Sequence, residues 1–485
     1  MREYSPKRRT AVVFAGSGTA GAYHAGALRA LDESGVKVDL VVGTGVGAFT
    51  AACAAVSNGP RLYATGGFWS TITRARLVRP RALFVAVAGI LALGFAIFLL
   101  PLLVGLLLGV LSTVLLIVDR FSPGTFAAFF AWMTSVSDRV SSGYVAALAV
   151  PGVAISLLIL GFLVLAWVRH RRRVPELFET VLSTEPARKV LLESLWEVAR
   201  GTALTGHAPS AAELGKRYVS LLVENLGQPG FRELVLRVAD LETGEPLSFH
   251  VLADQKKIPF ASARRRQDAG LPPLDLAAPG GAEVFFEGVL AGFVPAPAAS
   301  FCRVTFPKGT PRAGEVRRLG DGMLVGGAGL AEAVAAGAEQ IVLITAVPEV
   351  APAPRARRGP WATLGAVASA LERQAVSRDL QATERLNRMI ETLGHDTADG
   401  LRAWQDPATG RTYRWVSLWV VRPEKRPLGP LDLDGSQEPA TEVVDELVDL
   451  VDQGYRDACR QFVEPVVGAA PVVPSGPGAE RVVQL

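Results

Sequence analysis

Cysteine is scarce. The chain has three in 485 residues, Cys53, Cys302 and Cys459, scattered and odd in number. That excludes a disulfide framework and fits reduced thiols in a cytosolic setting. Histidine is scarce too: the five present fall into no metal-ligand spacing, so no metal is expected. Neither sign of charge dominates. The net charge is +4, the basic residues cluster, and no RNA- or DNA-binding motif is present, so nucleic acid is not an expected partner. The opening "MREYSPKRRTAVVFAGSG" is charged at its start, but its apolar run breaks too soon into glycines to serve as a signal peptide. Ala11 to Ala15 is expected to be a buried first strand.

Two long stretches lack charge altogether, Ala82 to Val118 and Gly143 to Val168. Each exceeds the ~20 apolar residues that cross a bilayer. Arg74, Arg76, Arg79 and Arg81 precede the first stretch; Arg169, His170, Arg171, Arg172 and Arg173 follow the second. Asp119, Arg120, Asp138 and Arg139 lie between and balance. The positive-inside rule puts both outer flanks in the cytoplasm, so the number of crossings is even. Two crossings are the simpler reading. As one straight helix the first stretch would be about 55 Å long against a core of about 30 Å, and Pro101 is expected to kink it. Four crossings, divided at Pro101 and with a short one near Phe126 to Val136, are the alternative. The stretches hold no ionisable residue, which argues against a transporter. The expectation is an integral protein of the inner or plasma membrane, with membrane lipids as partners and the rest of the chain on the cytoplasmic side.

The remaining sequence divides into 1–75 and 174–470, which form one domain around the insert at 80–170, and a disordered tail at 471–485, rich in proline and glycine. From Thr10 to Gly59 the pattern is strand, glycine loop, helix, strand, glycine turn, helix. This βαβα order predicts a parallel sheet with helices on its faces. Glu176 to Arg200 is expected to be helical. "RYVSLLVENL" reads as a strand, and "RELVLRVADLETGEPLSFHVL" as strands with a turn at Glu242–Gly244. "AEQIVLITAV" and "YRWVSLWVVRP" are further strands. "WATLGAVASALERQAVSRDLQATERLNRMIETLG" is a long amphipathic helix with a break expected in it, and a closing helix pair covers "ATEVVDELVDLVDQGYRDACRQFVEP".

Three elements carry candidate chemistry. The loop Gly16-Ser17-Gly18-Thr19-Ala20-Gly21 has the Gly-x-Gly-x-x-Gly pattern of dinucleotide folds. The next strand, however, ends at "VVGTG" with no acid to hold a ribose, so NAD is not expected, nor any other cofactor. The other use of such a loop is an oxyanion hole, in which backbone N–H groups at a helix start face developing negative charge. The second element, "VVGTGVGAF", has the outline of a nucleophile elbow, Gly-x-Ser-x-Gly. Gly43 and Gly47 stand where the flanking glycines belong, and the apex is Gly45, which has no side chain to attack with. The third is Asp321-Gly322 in "LGDGM".

Taken in this order, the loop, the elbow and the aspartate resemble the patatin-like phospholipase family. "VADLETGEPLSFH", "VLAGFVPAPAASF" and "VDLVDQGYRDACRQF" are also similar to family segments. The resemblance implies a three-layer α/β domain with a mostly parallel central sheet, interrupted here by an inserted transmembrane helical hairpin. It also implies serine acyl hydrolysis by a Ser–Asp dyad, without histidine or metal. On that reading Asp321 is the retained acidic member, Gly45 holds the nucleophile position with the serine absent, Gly16, Ser17, Gly18 and Gly21 form the oxyanion loop, and Gly43 and Gly47 are the elbow glycines. Ala20 stands where the family has a basic residue, and Ser17 where it has glycine. The expected function is therefore a degenerate, membrane-anchored member that binds or senses lipid or scaffolds a partner. The alternative is an active lipid acyl hydrolase with a non-standard nucleophile. Ser17 lies in the right region but on the wrong element, Thr44 should point away from the apex, and His24 reads as a partly exposed helix residue rather than a base.

Overall fold

The computed structural model of the chain describes residues 4–57, 59–72, 79–80, 182–200, 208–267, 272–293, 302–349, 360–397, 400–407, 410, 412–424 and 443–468, with short stretches and single positions between 89 and 161. The chain forms two compact units, one of residues 1–79 with 183–485 and one of residues 80–182. In the first unit, the uncharged TAVVFAG makes strand β1 (Thr10–Gly16), buried along its whole length. Helix α1 (Ala20–Glu33) follows, then β2 (Leu40–Gly45) and α2 (Gly47–Ala55). Helix α3 (Ala211–Asn225) leads to the hairpin of β3 (Glu233–Asp240) and β4 (Glu245–Val251). Helix α4 (Asp254–Gln267), the short β5 (Leu274–Asp275) and α5 (Phe285–Phe293) come next. Then follow β6 (Cys302–Thr305), β7 (Val316–Asp321), helix α6 (Leu330–Ala335), β8 (Gln340–Thr345), helix α7 (Pro360–Leu393), β9 (Ser417–Val421) and α8 (Val443–Ala458).

The main sheet runs β9-β8-β1-β2-β3-β4-β5, with β7 also on β3 and β6 on β7. Strands β9, β8, β1, β2 and β3 are mutually parallel, as continuous apolar runs separated by helices require. Strands β4 and β7 run antiparallel to β3. Alternate residues of the central strands face the two helical layers. Ala11, Val13 and Ala15 of β1 join Val42, Ile341 and Leu343 in the core under α6 and α7. The result is an α/β fold of three layers with a mostly parallel sheet.

Several expectations change. "RYVSLLVENL" is not a strand but the second half of α3. Leu214, Tyr218, Val219 and Leu222 are buried at helical spacing, and the Ser210 hydroxyl caps the helix by accepting from the Glu213 amide. The long helix α7 is continuous, without the expected break. The closing pair is one helix: α8 passes directly into a π-helical stretch, Cys459–Val467. Among the described residues no helix is long and apolar enough to cross a membrane, so the inserted transmembrane hairpin finds no support there. Most of 82–118 and 143–168, and the tail 471–485, lie outside the described residues.

Helices α1 and α8 approach so closely that backbone meets backbone. A methyl group on Gly26 would lie 1.8 Å from the Val451 carbonyl oxygen, and one on Gly454 would lie 2.1 Å from that of Tyr23. The contact is locked by the Tyr23 hydroxyl, which donates to Asp457 at 3.1 Å. No side-chain rotation relieves a clash with a carbonyl. Gly26→Ala should therefore force the helices apart and cost about 1–3 kcal/mol, read as a lower denaturation midpoint. An unchanged midpoint would mean that the two helices slide freely.

Candidate functional site

The register of β3 builds the site. Residues Glu233–Arg237 of β3 pair with Leu40–Thr44 of β2, and the next residue, Val238, pairs with Asp321 at the end of β7. One edge of β3 thus passes from β2 to β7 at the point where β2 turns away. On the other side of β2, Gly16 at the end of β1 lies opposite Gly45. Gly45, Gly16-Ser17 and Asp321 therefore meet at the carboxyl ends of parallel strands, where open α/β sheets place their ligand sites.

Gly45 is the apex of a strand-to-helix turn. Its φ is +67°, a left-handed conformation that glycine adopts without penalty. A Cβ there would point at the Asp321 carboxylate, 3.0 Å from Oδ1. That is the direction a nucleophile on this turn would take. The same Cβ would lie 2.1 Å from the Gly16 carbonyl oxygen. This oxygen also accepts the Val46 amide at 2.8 Å, so the first backbone donor after the apex already has a partner. Gly43 lies within β2 and Gly47 opens α2, on either side of the apex.

Ser17 closes the gap. Its hydroxyl donates to Asp321 Oδ2, while Asp321 Oδ1 accepts the Met323 amide at 2.8 Å and so caps the turn that follows β7. Burial pushes the Asp321 carboxyl up to about 6, against the opposing pull of Ser17, the Met323 amide and the Arg237 charge. The Ser17 amide donates to the buried carboxylate of Glu372 on α7, at 2.7 Å. The Ala20 and Ala22 amides at the start of α1 return to the Ser17 and Thr19 carbonyls, at 3.2 and 3.0 Å. Gly18 lies in this turn with φ +62°, and Gly21 lies in α1 against Trp69. Thr44 donates to the Ala328 carbonyl at 3.0 Å. His24 is not partly exposed as expected: it is fully buried, and burial pushes its imidazole down to about 3, so it stays neutral. Ser17 and Asp321 make their contact without it.

A buried ion network holds the turn after Asp321. Arg237 donates to the Gly322 and Gly327 carbonyls at 2.7 and 2.9 Å and also to that of Gly326. It pairs with Glu332 at 3.1 Å, and Arg264 joins the same carboxylate at 3.0 Å. Burial raises the Glu332 carboxyl, but Arg264 and Arg237 outweigh it and hold the group below its usual range. Asp379 of α7 accepts the Ala328, Gly329 and Leu330 amides at 2.7, 3.1 and 3.2 Å. None of Arg237, Arg264, Glu332, Glu372 and Asp379 was singled out in the sequence. Arg237 had a signal, as the lone cation inside the apolar run ELVLRVA. The two α7 carboxylates had none, since acids on an amphipathic helix read as a solvated face.

Among the described residues no cluster of histidine, cysteine, aspartate or glutamate is able to hold a metal ion, and the three cysteines are free and buried. The Asp321 environment makes stability pH-dependent. Its folded pKa lies above the unfolded value, so its stabilising contribution is complete below pH 3.8 and is lost as pH rises through about 6. Over that window the wild-type chain should lose on the order of 3 kcal/mol relative to Asp321→Asn. Denaturant titrations of both proteins across the window check this, and parallel pH profiles would contradict it.

No curated protein matches the chain. Among solved structures, VipD from Legionella pneumophila aligns over 94% of this chain and 68% of its own, with 13% identity and a TM-score of 0.29. A family model described as patatin-like phospholipase matches residues 12–153, which include the glycine loop, α1, the elbow and α2. By that match, the chain carries a domain of the patatin-like phospholipase family.

Proposed function

We propose that the chain is a membrane-anchored patatin-like protein that has kept the lipid acyl-hydrolase fold without the hydrolysis, and that it acts by binding or sensing lipid or by scaffolding a partner. Acyl hydrolysis by a dyad needs a hydroxyl oxygen that attacks the ester carbonyl, a carboxylate that takes its proton, and free N–H groups for the oxyanion. The observation that carries the reading is the apex. Gly45 points no side chain at Asp321, the Gly16 carbonyl fills the space a side chain would need, and it also takes the Val46 amide. Loss of a nucleophile of this kind lowers turnover by roughly 10⁶-fold in a serine hydrolase.

A second reading rests on one contact. The Ser17 hydroxyl already donates to Asp321, which is the pairing a displaced Ser–Asp dyad would have. A fluorophosphonate probe separates the two. The wild-type chain should remain unlabelled; strong labelling that disappears in Ser17→Ala would establish Ser17 as the nucleophile instead. Gly45→Ser alone should label weakly, because its Cβ meets the Gly16 carbonyl. Ser17→Gly combined with Gly45→Ser returns the hydroxyl to the apex and leaves Asp321 free to receive it, so this double variant should label more strongly than either single one.

Membrane anchoring rests on the two uncharged runs and the arginines that flank them. Within the insert, Leu107 and Phe121 are 70% and 85% exposed, and Val110, Val114 and Ile117 are exposed beside them, an apolar surface that water does not favour. The patatin-like unit would then stand on the cytoplasmic side of the inner or plasma membrane. The native cysteines are buried, so thiol labelling of single introduced cysteines reports topology cleanly. Ser122→Cys and Ser142→Cys should react from the side opposite to Arg74→Cys and Arg173→Cys. Reaction of all four from one side would exclude the crossing.

A further inference from the structure

Helix α7 packs one side into the core. Ala375 and Val376 belong to the core cluster, Ala368 is buried before them, and Glu372 and Asp379 reach the Ser17 and Ala328 amides from that side. One flank of the remaining surface carries large apolar side chains in two pairs at i, i+4 spacing. Val367 and Leu371 are 53% and 40% exposed, and Met389 and Leu393 are 39% and 61% exposed. Between the pairs stand Arg378 and Arg385, both exposed. At 100° per residue these six fall within an arc of about 80°. From first to last they span about 40 Å of continuous helix.

Elsewhere in the patatin-like unit the exposed large apolar residues, Val223, Ile258, Val316 and Val448, stand on four different elements, and such single residues are ordinary. Four on one flank of one helix are not. The charges of α7 are segregated as well. Arg378 and Arg385 have no acidic partner among the described residues. The exposed acids, Glu384 and Glu391, lie on the other flank, Glu384 against Arg388 at 3.5 Å and Glu391 against the Trp415 indole at 3.0 Å. The sequence that leads into the helix, residues 351–359, adds Arg355, Arg357 and Arg358 and no acid. A second copy of the chain is a poor occupant, because pairing the apolar ends of two such flanks antiparallel crowds their arginines together. An anionic bilayer is complementary: arginines meet lipid phosphates and apolar side chains enter the headgroup boundary.

We propose that this flank of α7 is a docking face for an anionic phospholipid bilayer. Val367, Leu371, Met389 and Leu393 enter the boundary between headgroups and acyl chains, and Arg378 and Arg385 meet the phosphates. The helix stays packed in its core, and nothing in the fold has to open. This is a second contact with the membrane, separate from the uncharged runs, and it selects the lipids that the domain meets. Glu372 joins the same helix to the Ser17 amide, so docking holds the site beside the bilayer. The proposal rests on the reading that the domain works at a membrane, but it makes a separate demand, because that reading needs only the insert to cross.

The test uses the full chain reconstituted in vesicles of phosphatidylcholine alone or of equal phosphatidylcholine and phosphatidylglycerol. An environment-sensitive fluorophore on Leu371→Cys or Met389→Cys should shift to the blue in the anionic vesicles and not in the neutral ones. On Glu384→Cys, on the other flank, it should shift in neither. Arg378→Gln with Arg385→Gln should lower the docking equilibrium roughly thirty-fold and remove most of the shift. Salt at about 1 M, where the Debye length is about 3 Å, should do the same with both arginines in place, so the result does not depend on the folding of the double variant. Absence of a shift in anionic vesicles overturns the proposal, as does an equal shift at Glu384→Cys. An equal shift in neutral vesicles overturns the anionic surface as the partner, and one that grows there with the number of chains per vesicle assigns the flank to a second copy instead. Topology labelling that reports the crossing, together with no shift, sinks this proposal alone; labelling that excludes the crossing sinks the anchoring reading whatever the fluorophore reports.

Discussion

A buried carboxylate must be solvated by the protein around it, and the site is organised by how Asp321 meets that demand. Its two oxygens face a backbone amide and a hydroxyl. In a Ser–Asp dyad the hydroxyl would come from the apex of the elbow. Here the apex is glycine and the hydroxyl comes from the neighbouring strand end, at Ser17. Gly45 carries no hydroxyl at the elbow, Ser17 carries one on the loop, and Asp321 takes its donor from Ser17. Leaving such a carboxylate short of a donor costs about 1–3 kcal/mol or more, enough to make the Ser17 contact stabilising whether or not the site carries out chemistry.

The position of Asp321 depends in turn on Arg237. This residue is the last of β3 to pair with β2, and its guanidinium reaches across to the carbonyls of the turn that follows Asp321. Glu332 and Arg264 complete its neutralisation inside the core. Breaking one member of a buried ion group strands the others and costs about 3–5 kcal/mol, so the network fixes the turn far more firmly than its net contribution to stability would suggest. A strand register and an ion group thus hold Asp321 beside the elbow.

What was legible in the sequence is what local pattern determines. Continuous apolar runs between glycines placed β1, β2 and β8, and the Gly43-x-Gly45-x-Gly47 spacing placed the turn between β2 and α2. Asp321 was singled out by its order in the chain behind the other two elements. The errors also have local causes. In Tyr218 to Leu222 a run of apolar residues matched a strand as well as a helix, and only burial at Leu214, Tyr218 and Leu222 with a Ser210 cap resolves it. His24 was judged by its helix alone, whereas the sheet and loop around it bury it completely. Glu372 and Asp379 were out of reach because their partners lie 355 and about 50 residues away in sequence, and nothing in the helix itself separates an inward acid from a solvated one.

The donors around Ser17 and Asp321 named here are taken up within the chain. Val46 is held by Gly16, Ser17 by Asp321 and Glu372, Met323 by Asp321, and the amides at the start of α6 by Asp379. A site in this condition attracts little, because any ligand must displace an existing hydrogen bond and gains only the difference. The contacts differ in how readily they exchange. The Gly16–Val46 bond lies between two strand ends fixed by the sheet, and Asp321 lies within the ion-braced turn. Glu372 and Asp379 are both presented by α7, whose inner face is packed into the core at Ala375 and Val376. If the domain takes up an anionic group, that group must displace one of these pairings, and the bonds between strand ends fixed by the sheet are the hardest to displace.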